Sequence, residues 1–158
     1  MLDRLFPPRF DNDYRGSRIA LWIFGLLVAM RTVIGLNSIF NTRLVASSAD
    51  GIPLDTFTPA GAQAAVALFA LLGLSHVVIA LIGILALVRY RSMIPFLFAL
   101  LLFAHLCGRW IGRVHPIPRA GAPPASLINV VLLAVTAAGL ALSLWGSRDS
   151  RPGRAPSA

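Results

Sequence analysis

Four apolar runs constrain this chain more than anything else in it. They lie near residues 19–42, 62–88, 93–113 and 124–146, and each reaches the roughly 20 residues that a helix needs to cross a bilayer. In lipid every backbone N–H and C=O must find a partner within the protein, which favours helices for such runs. The sequence therefore predicts an all-α membrane protein, an antiparallel bundle of four transmembrane helices spanning 19–146. It is preceded by a cytoplasmic arm (1–18) and followed by a disordered cytoplasmic tail (147–158). With 57% hydrophobic and 13% charged residues in 158, the chain is too apolar for an ordinary soluble domain.

Charge fixes the expected orientation. All 14 cations are Arg and all 6 anions are Asp, a bias that fits a GC-rich bacterial genome and points to the bacterial inner membrane. The net charge of +8 would suit nucleic acid if it formed a patch, but the Arg residues flank the apolar runs, so no nucleic-acid partner is expected. Arg4, Arg9, Arg15 and Arg18 precede the first run, Arg89 and Arg91 separate the second and third, and Arg148, Arg151 and Arg154 follow the fourth. The other two connections hold Arg43, Arg113 and Arg119. Positive charge accumulates on the cytoplasmic side of membrane proteins, which places both termini there. The first run is longer than the apolar segment of a secretory signal and carries Arg31, so it is read as a span that is kept. Trp22, Trp110 and Trp145 lie near predicted span ends, where interfacial anchors sit.

The connections have readable punctuation. Asp50-Gly51 signals a turn in the first outer loop. Thr58-Pro59 reads as an N-cap followed by the first helical position. "RYRS" (89–92) is a tight turn, with Ser92 as the expected cap of the third helix and Pro95 in its first turn.

Helical spacing gathers small and polar residues into one stripe per span. Arg31, Gly35 and Ser38 share a face; so do Gly73, His76, Ala80 and Gly83; so do His105, Gly108, Arg109 and Gly112. Asn129, Thr136 and Ser143 recur every seven residues. Such stripes let membrane helices approach closely, so all four are expected to pack inward.

Arg31 stands inside an apolar run, where an ionisable residue marks a function by default. Arg18 to Arg31, Arg89 back to His76 and Ser92 to His105 are each 13 residues. At a helical rise of about 1.5 Å per residue this places all three side chains in one layer, roughly 20 Å from the cytoplasmic boundary. No Asp lies within any span. Asp50 and Asp55, in the outer loop, are within reach of Arg109 or Arg113 only, so Arg31 must bond neutral groups, water or an anion from outside the chain.

Three functions fit these residues. The first is a structural or accessory membrane protein acting through helix packing, with lipids and either a protein partner or a second copy as its contacts. The second is a binder or carrier of an anionic ligand or lipid headgroup, with Arg31, His76, His105, Arg109, Asn37 and Asn41 as the candidate residues. The third is a bis-His haem b protein with His76 and His105 as axial ligands. Otherwise no cofactor is expected. No metal site is expected either, because two His offer too few ligands for zinc. Cys107 falls on a different helical face from His105 and reads as filler. Ser75-His76 lacks the orienting acid that a nucleophile pair needs. No catalytic residue is assigned, and the reading leans away from an enzyme.

Overall fold

The structure, a computed structural model, describes residues 5, 9–119, 121 and 123–145. The disordered tail expected over 147–158 and most of the segment 1–8 lie outside the described residues. Four long helices carry the fold: α1 (Arg18–Phe40), α2 (Pro59–Arg89), α3 (Ile94–Val114) and α4 (Pro124–Leu144). There is no strand among the described residues. All four helices are long and apolar enough to cross a membrane, and they form an antiparallel bundle as the sequence predicts.

Local signals set most boundaries. Ser17 caps α1, its hydroxyl accepting from the Ile19 amide at 3.3 Å. Thr58 caps α2 by accepting from the Gly61 amide at 3.2 Å, with Pro59 in the first turn. Gly51 takes φ +71°, a backbone conformation that a Cβ disfavours, and so makes the turn after Asp50. Ser92 does not cap α3. It lies in a 3-10 turn, Arg91–Met93, and Met93 precedes α3 without a side-chain cap. The Ser92 hydroxyl is taken by the N-terminal arm instead: it accepts from the Asp11 amide at 3.0 Å and donates to the Asp11 carbonyl at 2.9 Å. The Ser92 amide donates to the same carbonyl at 3.3 Å.

Helix α1 is the central element. It crosses α2 where glycine meets glycine: a Cβ on Gly35 would lie 2.9 Å from the Gly73 carbonyl oxygen, and one on Gly73 would lie 2.8 Å from that of Gly35. One end of the bundle is closed by apolar packing. Ala20, Phe24, Leu27 and Val28 of α1 meet Ala80 and Ala86 of α2, Ile94, Leu97, Phe98 and Leu101 of α3, and Leu132 of α4. Phe24 and Phe98 stack edge to face with centroids 5.1 Å apart. Gly139 of α4 admits the Phe98 ring and Ile23. The arm lies at this end, with Tyr14 packed on the core and the Ser17 amide bonded to the Leu142 carbonyl at 3.4 Å.

The opposite end is built differently. There α1 and α2 are covered by their own connection, in which Ala46, Ile52 and Leu54 pack on Ala65, Val66 and Phe69 of α2. Helices α3 and α4 have left the core. The buried residues of α3 end at Leu101, and those of α4 begin at Leu132. Two of the expected packing stripes are therefore only half used. A Cβ on Gly108 or Gly112 would meet nothing within 4 Å, and Asn129 is exposed although Thr136 and Ser143 on the same stripe are fully buried. The reason is packing: none of the described residues beyond Leu101 in α3 or before Leu132 in α4 is buried, so the distal part of each continuous stripe has no neighbour, and this uncovered end is termed the splayed half.

Candidate polar site within the bundle

The hydroxyls of the spans mostly turn back on their own helices. Thr32 donates to the Val28 carbonyl at 2.9 Å, Ser75 to Leu71 at 3.1 Å, Thr136 to Leu132 at 2.6 Å and Ser143 to Leu140 at 2.8 Å. These bonds satisfy the side chains without joining helices.

Arg31 bonds across the bundle. Its Nη1 lies 3.0 Å from Nδ1 of His76 on α2, and its Nη2 lies 3.4 Å from Nε2 of His105 on α3. The three side chains thus share one layer and tie three helices together. Arg31 is only 9% exposed; both histidines are half-buried. His105 sits one turn beyond Leu101, where α3 leaves the core, so the layer forms the floor of the splayed half.

Hydrogen-bond chemistry fixes the state of both rings. A guanidinium has five N–H groups and no acceptor, and it stays protonated in proteins. Each imidazole nitrogen facing Arg31 must therefore accept. His76 is then neutral with its proton on Nε2, and His105 is neutral with its proton on Nδ1. Among the described residues, neither His76 Nε2, His105 Nδ1 nor Arg31 Nε has a hydrogen-bond partner. None is shut away either, because the Tyr14 hydroxyl is the one fully buried side-chain N or O atom without a partner among the described residues. The site is one positive charge held by two neutral rings, with N–H donors open to whatever enters.

The remaining candidates are not part of this cluster. Asn41 Nδ2 donates to Asn37 Oδ1 at 2.7 Å, and both residues are exposed. Arg109 is exposed as well and lies one turn past His105 on the same face of α3. Asp50 does not approach Arg109 or Arg113 as the sequence allowed. Burial pushes its carboxyl above the usual range, and the charge that opposes this is Arg119, in the loop between α3 and α4.

The Arg31 guanidinium bonds a nitrogen of each ring, and bis-His haem ligation through those nitrogens would have to displace it. Among the described residues, no three His, Cys, Asp or Glu lie close enough to hold a metal ion. The clasp between Asp11 and Ser92 had no signal in the sequence, since its partners are 81 residues apart. No family model, no curated protein and no solved structure matches this chain, so the functional reading rests on the chemistry of the Arg31 layer.

Proposed function

We propose that this protein binds an anionic group at Arg31 inside its helix bundle, as a ligand-binding or carrier protein of the bacterial inner membrane. The observation that supports this most directly is the pairing of Arg31 with two neutral imidazoles and no carboxylate. A buried cation is normally balanced by an anion, and the chain supplies none in its spans. The splayed half beyond the layer offers a route, with the exposed Arg109 one turn past His105 on α3. With both termini cytoplasmic, as the distribution of Arg favours, that half opens outward. Reporter fusions after residues 50, 90, 120 and 158 should read outside, inside, outside and inside; a periplasmic C-terminal reporter overturns the orientation.

Binding is tested by thermal unfolding of the purified protein in detergent, with sodium sulfate against sodium chloride at matched ionic strength. A ligand that binds the folded state at one hundred times its Kd adds about 2.7 kcal/mol to stability. The expected result is stabilisation of the wild type and none of Arg31→Gln, which keeps donors for the two histidines. Equal responses in the two proteins overturn the assignment of Arg31.

A second reading, a structural or accessory role, has its own support. Arg31 clamps α1, α2 and α3 together, and the uncovered Gly108 and Gly112 give a partner helix or a second copy room to approach closely. Under this reading Arg31→Gln lowers stability without changing any response to anions.

A further inference from the structure

The hydrogen-bond polarity of the Arg31 layer carries the proposed binding function one step further, to the class of anion. Arg31 cannot accept a hydrogen bond. Because it donates to His76 Nδ1 and to His105 Nε2, it locks both rings in the tautomers that leave an N–H, not a lone pair, free for a further partner. Flipping either tautomer would set an imidazole N–H against a guanidinium N–H at 3.0 or 3.4 Å. The groups that the three side chains leave free are therefore donors alone: Nε–H and the second N–H of each terminal nitrogen of Arg31, Nε2–H of His76 and Nδ1–H of His105. Arg109, one turn along α3, adds only further donors.

From this we infer that the site selects oxyanions that carry no hydroxyl on the anionic group, namely sulfate, sulfonate, carboxylate and phosphodiester, over hydrogen phosphate and singly protonated phosphate monoesters. An anion of the first kind meets every donor with a lone pair. An anion of the second kind brings an O–H of its own, which finds donors facing it and must give up a hydrogen bond that it had in water. Charge does not explain the choice, because sulfate and hydrogen phosphate are both tetrahedral dianions. The same chemistry has two sources, a soluble oxyanion or the diester phosphate of a lipid headgroup. The inference rests on the proposed anion-binding function and can fail separately from it.

The test measures thermal unfolding of the protein in neutral detergent, with inorganic phosphate compared at about pH 8, where it is mainly hydrogen phosphate, the dianion with one O–H. Sulfate and phosphate are titrated at equal ionic strength. In parallel, at about pH 5, where a phosphate monoester is mainly the monoanion with one O–H, phosphatidylglycerol, a diester of the same charge, is compared with phosphatidic acid in mixed micelles. Sulfate binding about ten-fold or more tighter than phosphate supports the inference and identifies a soluble ligand; one lost hydrogen bond at a desolvated site has that size. A response confined to the lipids, with phosphatidylglycerol ahead of phosphatidic acid, supports it and identifies a headgroup. Equal affinities within each pair, or preference for the hydroxyl-bearing member, overturn the selectivity while leaving anion binding in place. No stabilisation by any of the four overturns both.

Discussion

Gly35→Ala tests how the crossing of α1 and α2 positions the polar layer. The new Cβ would lie 2.8 Å from Val77 Cγ2, 2.9 Å from the Gly73 carbonyl oxygen and 3.0 Å from the Val77 amide nitrogen. The valine methyl can rotate away, but the other two atoms are backbone. Relief therefore requires the helices to part by about 0.5 Å, toward ordinary van der Waals separation. Overpacking of this kind costs about 1–3 kcal/mol, and replacing Gly by Ala within a helix returns about 1 kcal/mol. The expected net loss is about 1 kcal/mol. Gly112→Ala is the matched control: nothing lies within 4 Å of its Cβ, so only the helical gain remains and stability holds or rises. Reversible unfolding in mixed SDS micelles, followed by helical circular dichroism, reads both variants. Gly35 is one turn from Arg31 and Gly73 is three residues from His76, so parting the helices also stretches the 3.0 Å bond between Arg31 and His76. Gly35→Ala should accordingly weaken the response to sulfate, and Gly112→Ala should not. Equal stabilities in the two variants would refute the close crossing as the determinant.

Three other outcomes follow from the regions around the layer. Tyr14→Phe should raise stability by about 1 kcal/mol, because the wild-type hydroxyl is buried without a partner and that arrangement carries a desolvation cost. Burial pushes the same hydroxyl up from 10.0 to about 12; the unfolded chain ionises first, so the wild type should lose stability between those pH values and the Phe variant should lose less. Asp50→Asn should be more stable than wild type near neutrality. Burial raises the Asp50 carboxyl above 3.8, so its stabilising contribution is complete below that pH and is lost as pH rises through the folded value; the advantage of Asn must vanish in acid, and an advantage independent of pH would exclude the carboxyl as its cause. Ser92→Ala should speed hydrogen exchange at the Asp11 amide, which loses its acceptor at 3.0 Å; unchanged exchange would show that other contacts hold the arm.

What the sequence determined by itself is what runs along single helices. The lengths of the four spans follow from unbroken apolar runs. The caps at Thr58-Pro59 and the turn at Gly51 follow from local backbone chemistry. Counting 13 residues inward from three boundaries was enough to place Arg31, His76 and His105 at one depth, because helical rise is constant and the boundaries are marked by Arg and Ser. What the tertiary structure alone decided is which stripes find a neighbour. Gly73 and Gly83 of α2 read in sequence like Gly108 and Gly112 of α3, yet the first pair touches α1 and the second pair touches nothing. Ser92 has the residue type and position of a helix cap and is taken by Asp11, which no local pattern announces. Asn37, Asn41 and Arg109 share the polarity of the layer but stand away from it, because side-chain direction depends on how each helix is rotated and tilted against the others. Periodicity fixes a residue's face and depth on its own helix; the angle at which helices cross, set by contacts far apart in the chain, fixes what that face meets.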